Sequence, residues 1–314
     1  VSICNLKFSL IAYALGLSQK VCYMHASGLP AMQIGFIGMG RVGKALANAV
    51  AQCGLTVAAV HARNPAHAAA LGALAPDAQI AASAQVVADA CDLVFLTVND
   101  DAIGPVCTSL QWRAGQFVVH CSGATDVEVL DHAKQAGAHI GGFHPLMAFA
   151  DPALALQNLP GCTVAIEAAA PLDALLADLA ARLACVPLTL PAGSRALYHA
   201  SAHYAGAFIN ALLGDAVAMW QHFGASEAQA LAALVPLARS SLANAQSQGL
   251  VASLPGVISR GDLGTLQKHL LALAAMPTPV GQLYRDLARR NVPMALERGS
   301  ITAEQAARLL ATLA

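Results

Sequence analysis

Hydrophobic positions change rhythm twice along this chain. The run QIGFIG, residues 33–38, is short, apolar and bounded by glycine, which predicts a buried strand. Val42, Leu46, Ala49, Val50 and Cys53 then recur at helical spacing, and Gly54 supplies a stop. The same alternation continues. LTVAAVHAR, a weaker AQIAAS, CDLVFLTVND, QFVVHCSG, AHIGGFHPL, GCTVAIEA and VPLTLPA read as strands, with alanine-rich helical segments between most of them. Strands alternating with helices predict an α/β Rossmann domain built on a doubly wound, mostly parallel sheet.

After Pro191 the strand rhythm stops. One long helix is predicted from Ser194 or Arg195 through Trp220, and another over 226–247. Pro255-Gly256 marks a break, followed by helical runs at 262–275 and 279–290. The last run, 302–313, opens with Thr302 and Gln305 at capping-box spacing. The reading is a dinucleotide-binding domain over 32–191 and an all-helical C-terminal domain over 192–314. Residues 1–31 contain KFSLIAYALGL, which resembles the apolar core of an export signal. MQIGFIGMG looks like a natural start at Met32, so the preferred reading of 1–31 is an upstream extension, with an export signal as the alternative.

Composition narrows the partner. Hydrophobic residues make up 57% of the chain and charged residues 11%, with a net charge of −1. Nothing here suits a nucleic-acid or anionic-membrane surface, and a small-molecule substrate is expected. No later apolar stretch reads as a membrane span. Of eight cysteines, none form a C-x-x-C pair. Cys53, Cys91, Cys107, Cys121, Cys162 and Cys185 sit in or beside apolar runs and read as reduced core residues of a cytoplasmic protein. Only Cys121, by its loop position, is a candidate reactive thiol.

Gly38-x-Gly40-x-x-Gly43 lies between a predicted strand and a predicted helix, the context that marks a dinucleotide fingerprint. Gly38 permits the tight turn, Gly40 lets the backbone approach a pyrophosphate, and Gly43 lets helix and strand pack closely. Free N–H groups of the bend Gly38-Met39-Gly40 and of the helix start Arg41, Val42 and Gly43 then face the phosphate charge. An NAD site needs a carboxylate about 20 residues further on, for the ribose 2′-hydroxyl. No Asp or Glu precedes Asp77, and Arg63 stands twenty positions after Gly43. Arg63 therefore suits a 2′-phosphate, with His61 and Asn64 adding hydrogen bonds, and the expected cofactor is NADP(H). The plain alternative for Arg63 is a solvated loop arginine. Val98 and Asn99 are placed against the ribose and nicotinamide half, and Ser122 and Gly123 beside cofactor or substrate. Asp100 and Asp101 read as caps of the following helix.

GFIGMGRVGKAL, LTVNDDAI, HCSGA, GGFHPLMAF, RALYHASAHYAGAF and PGVISRGDLGTLQKHL, in this order, resemble a known group from about Met32 to the end. They are similar to the Rossmann-like oxidoreductases carrying the domain of unknown function 2520, relatives of 6-phosphogluconate dehydrogenase and pyrroline-5-carboxylate reductase. The resemblance implies an NADP-linked reduction and a helical domain that forms homodimers. It supplies no substrate. Hydroxyacid-dehydrogenase relatives use a Lys on the long helix after the sheet, with an Asn one turn later. Here that helix has no Lys and offers His199 and His203, with Asn210 further on.

Reduction of a carbonyl or imine needs a proton donor near the acceptor atom, and histidine suits the task. His144 is the first candidate and His199 the second; core histidines are the plain alternative for both. Arg260 and Ser122 are candidates to bind and orient substrate, although Arg260 and Asp262 can equally cap helix ends or pair. His199 and His203 have no identifiable third partner for a metal, and none is expected. The reading is a homodimeric NADP-dependent oxidoreductase acting on a small polar carbonyl or imine. The alternatives are a non-catalytic NADP-binding sensor or partner-binding protein, and an NADP-linked deazaflavin or flavin reductase.

Overall fold

The structure, a computed structural model, describes residues 32–64, 67, 78–149 and 151–314. The expectation for residues 1–31 lies outside that range. The chain divides into two compact units between Ala202 and His203.

The first unit carries one eight-stranded sheet in the order β3-β2-β1-β4-β5-β6-β7-β8. The strands are β1 (Ile34–Ile37), β2 (Val57–His61), β3 (Gln79–Ile80), β4 (Leu93–Leu96), β5 (Phe117–His120), β6 (His139–Pro145), β7 (Thr163–Ala168) and β8 (Val186–Thr189). Every neighbouring pair is parallel except β6 and β7. Central strands β1 and β4 are buried at all four positions, as a sheet covered on both faces requires. Edge strand β8 is exposed throughout and tolerates Pro187, which would cost a ladder hydrogen bond further in.

Each face of the sheet has its own core. Phe36 and Phe95 stack at 5.1 Å on one face, and Phe143 meets Phe95 edge-on at 5.8 Å. Val94, Leu96, Ile103, Val118 and Leu130 fill the other. Each such side chain stabilises the fold by about 1.5–3 kcal/mol on burial. The helices used below are α1 (Arg41–Gln52), α2 (Ala84–Ala90), α3 (Asp100–Thr108), α4 (Asp131–Gln135), α5 (Pro152–Asn158), α6 (Leu172–Arg182) and α7 (Arg195–Ala205).

The second unit contains the end of α7, then α8 (Ala207–His222), α9 (Glu227–Gln248), α10 (Gly256–Ser259), α11 (Leu263–Leu273), α12 (Thr278–Glu297) and α13 (Ala303–Leu313). The Thr302–Gln305 capping box opens α13, and a second, Ser226–Gln229, opens α9. The helix expected to run unbroken to Trp220 is instead two helices. Gly206 takes φ −117° and ψ −87°, outside the helical range, and ends α7. Cys53 also departs from the expectation: it is exposed, whereas Cys91, Cys107 and Cys185 are buried; all six described cysteines are free.

Candidate functional site

The first part of the site is made of backbone. The chain leaves β1, turns at Gly38 and enters α1 at Arg41. Gly38 sits at φ +106°, and a Cβ there would come 2.7 Å from the Thr97 and Val98 backbone of β4's end. A Cβ on Gly43 would strike the Gly38 carbonyl and lie 2.7 Å from Thr97 Oγ1. Thr97 itself donates its hydroxyl to Gly38 O at 2.5 Å, tying the bend to the neighbouring strand. Gly40 is different: nothing lies within 4 Å of the position a Cβ would take. Two glycines are thus demanded by the protein and the third faces open space.

That space is a cleft of about 650 Å³. Its lining includes Gly38, Met39 and Gly40 from the bend, His61, Arg63 and Asn64 from the end of β2, and Val98 and Asn99 from the end of β4. Among the described residues no carboxylate lines it. The first turn of α1 carries no acidic residue and Gly40 offers no side-chain cap, so its N–H groups keep their pull on an anion. Arg63 and His67 are exposed, and His67, which the sequence reading did not single out, joins the lining. His61 is engaged by its Nδ1 with Ala81 O at 3.0 Å. Arg41, Val42, Gly43, Ser122 and Gly123 do not line the cleft.

The second part is made of side chains. His120 on β5 pairs in register with Gly142 on β6, and Gly142 with Glu167 on β7. The three form one row across the sheet, with an empty place for a side chain at its centre. Arg195, the first residue of α7, fills that place; a Cβ on Gly142 would strike its guanidinium. Arg195 is fully buried. Its Nε donates to Glu167 Oε2 at 2.5 Å and its Nη1 to Ser122 O at 2.7 Å. Neither Arg195 Nη2 nor His120 Nε2 has a hydrogen-bond partner among the described residues.

Ser122 is buried, and its hydroxyl donates to Asp100 Oδ2 at 2.8 Å while accepting the Thr125 N–H at 3.0 Å. Asp100 therefore does not cap α3; the N-cap is Asn99, without a side-chain bond, and Asp100 ties α3 to the loop after β5. A Cβ on the next residue, Gly123, would come 2.8 Å from His144 Nε2 and 2.6 Å from His199 Cδ2. His144 and His199 meet edge to face at 5.9 Å, and His144 Nδ1 lies 2.9 Å from the Tyr198 hydroxyl. The two predicted histidines are thus together, in one cluster with Tyr198, Arg195, Glu167 and His120.

Electrostatics keeps the His144 and His120 rings neutral. Burial, then His199, then Arg195 lower the His144 pKa to about 4. Burial, then Arg195 and His144, lower that of His120 to about 3. Burial raises Tyr198 to about 12, so the phenol stays protonated. Burial also pushes the Cys121 thiol far up, which removes the expectation that Cys121 is a reactive thiolate. Arg260 belongs to the second unit, exposed at the end of α10, while Asp262 caps α11 by accepting the Thr265 N–H at 2.9 Å. Among the described residues no group of three or more His, Cys, Asp or Glu side chains is placed to hold a metal, and no helix is long and apolar enough to cross a membrane.

Two family descriptions match the chain. A Rossmann-like domain matches residues 25–145, and the domain of unknown function DUF2520 matches residues 162–291. The chain thus joins a Rossmann-like domain to a DUF2520 domain. No curated protein sequence matches it. Among solved structures it is similar to a Thermotoga maritima protein, at 19% identity and TM-score 0.68, covering 84% of this chain and 98% of the other. A Bacteroides fragilis protein named as a candidate NADP oxidoreductase matches at 20% identity and TM-score 0.66, covering 83% and 98%. A reductive aminase from Aspergillus terreus, in complex with NADPH and ethyl levulinate, matches at 20% identity and TM-score 0.64, covering 90% and 99%. These similarities establish the shared fold.

Proposed function

We propose that the chain is an NADP(H)-dependent oxidoreductase that reduces a small polar imine or carbonyl compound. The observation that carries this reading is the cleft over Gly40: open at the glycine bend, lined by no carboxylate among the described residues, and bearing Arg63 at the end of β2. A pyrophosphate fits bare N–H groups at a helix start. A ribose 2′-phosphate fits a guanidinium and is repelled by the acid an NAD site would carry. The Bacteroides and Aspergillus proteins point the same way through their names and the bound NADPH. The bound cofactor would supply the hydride.

The chain's own contribution lies in the His144 cluster. We assign the Tyr198 O–H, kept protonated, as the donor to His144 Nδ1, the choice that puts the ring proton on Nε2. His144 Nε2–H is then the donor offered to the acceptor atom of the substrate, and His199 packs the ring in place. A neutral imidazole is a weak acid. An imine nitrogen is more basic than a ketone oxygen and so takes the Nε2 proton more readily as the hydride arrives, the Tyr198 proton passing to Nδ1 in its place. Imines are therefore the preferred class, and the ketone with which the Aspergillus protein was solved belongs to that chemistry after condensation with an amine.

Dimerisation through the helical domain rests on α8 and α9. They pack on each other yet expose Phe208, Leu212, Leu237 and Leu242, apolar side chains that a second copy would cover. Calorimetric titration with NADPH and NADH, followed by a screen of cyclic imines and matching ketones with NADPH, tests the whole reading. Binding of NADPH with turnover of imines supports it; absence of NADPH binding overturns it.

A further inference from the structure

Arg195 is a costly residue to place where it is. A guanidinium with no exposure loses its hydration, and a single carboxylate pair seldom repays that loss. A hydrophobic residue would serve packing as well. Yet the fold provides for it at three points. Gly142 gives up its side chain so that the guanidinium can lie on the sheet. Glu167, itself buried, takes Nε. The Ser122 carbonyl takes Nη1. The last contact matters because Ser122 leads directly into Gly123, the residue that backs both the His144 and His199 rings.

We infer that Arg195 is a positioning residue for His144: seated over Gly142 and anchored by Glu167, it holds the Ser122–Gly123 turn against the His144–His199 pair, with its charge beside them. This inference rests on the reading of His144 as the proton donor. The hold has a second arm, since Ser122 Oγ is tied to Asp100 at the start of α3, next to Asn99 of the cofactor cleft. The turn is therefore fixed between the cleft and the histidines. The charged and titratable groups around His144 are Arg195, Tyr198 and His199 from α7, His120 from β5 and Glu167 from β7, with Asp100 of α3 reached through Ser122.

The test uses three variants of the full chain. Arg195→Met keeps length and loses both charge and donors. Arg195→Lys keeps the charge, but a single ammonium cannot reproduce the fork that spans Glu167 and Ser122 O. Arg195→Met combined with Glu167→Met removes both ions together, so that a folded protein is available if the unpaired glutamate unfolds the single variant. The readouts are NADPH affinity, kcat and KM for an imine, and the His144 titration followed by NMR in histidine-labelled protein.

Expected results are NADPH affinity unchanged in all three and kcat about 100-fold lower in all three, the cost of a displaced reacting group. The His144 midpoint should rise from about 4 in Arg195→Met, only part of the way because burial and His199 lower it more than Arg195 does, and stay low in Arg195→Lys. The double variant with wild-type kcat would overturn the inference, as would a His144 midpoint unmoved in folded Arg195→Met. The titration needs no substrate, so it judges Arg195 even if no imine is turned over. Loss of NADPH binding by the unmutated protein would instead sink the proposed function.

Discussion

The glycine bend and the His144 cluster lie in the same unit, and they are built on opposite principles. The bend works by leaving things out. Gly38 and Gly43 are glycine because β4 and the bend's own carbonyl occupy the space a side chain would need, and Gly40 is glycine where nothing does. The cluster works by filling. Gly142 is glycine because another side chain, Arg195, lies there, and around it His120, Ser122 and Glu167 are all buried. A backbone site of the first kind is wet, open and tolerant of its surroundings. A site of the second kind is dry, and its groups set one another's protonation.

The sharpest way to break this contrast is to add one methyl group at each glycine. Gly43→Ala should destabilise the fold by about 3 kcal/mol or more, because the Cβ meets backbone that cannot yield. Gly40→Ala should leave the melting temperature unchanged and weaken NADPH binding, by about 10-fold or more if the backbone can no longer reach the pyrophosphate. Thermal melts paired with NADPH titration separate the two. A Gly40→Ala protein that melts early and binds normally would reverse the assignment.

Replacing His144 by Gln should lower imine reduction by about 100-fold to 10,000-fold, the range for loss of a positioned acid. Steady-state kinetics on an imine measures it, and normal turnover would remove His144 from the mechanism. Arg63→Ala is expected to cost about 10- to 100-fold in NADPH affinity and nothing in NADH affinity, as for one charge-assisted phosphate contact. Equal losses for the two cofactors would make Arg63 a contact to something other than the 2′-phosphate.

The smallest effect is on acid stability. The folded His144 pKa is below its ordinary 6.5, so the unfolded chain binds more protons between about 4 and 6.5. Stability contributed by the neutral ring is complete above that window and falls as pH drops through it. Denaturant melts from pH 7 to pH 4 should show a shallower loss for His144→Gln than for the unmutated protein. A steeper loss would contradict the neutral ring.

What could be read in advance follows from the same contrast. The glycine bend is encoded in consecutive residues, and its strand and helix neighbours announce themselves by their apolar rhythm. The missing acid near Arg63 is likewise a local fact. Arg195 and Glu167 are not legible that way, because the row His120–Gly142–Glu167 exists only once β5, β6 and β7 are in register. The glycine pair of AHIGGFHPL was the one available signal, two small residues in the middle of a strand. The break at Gly206 escapes for another reason: Phe208, Ile209 and Leu212 continue the apolar pattern on the far side, and a glycine in a helix need not stop it.

The cofactor preference of the unmutated chain tests the central claim most directly. Calorimetry at fixed ionic strength with NADPH and then NADH should give at least about 10-fold tighter binding of NADPH, the difference one phosphate contact supplies. Equal affinities, or tighter NADH, would show that the cleft does not read the 2′-phosphate.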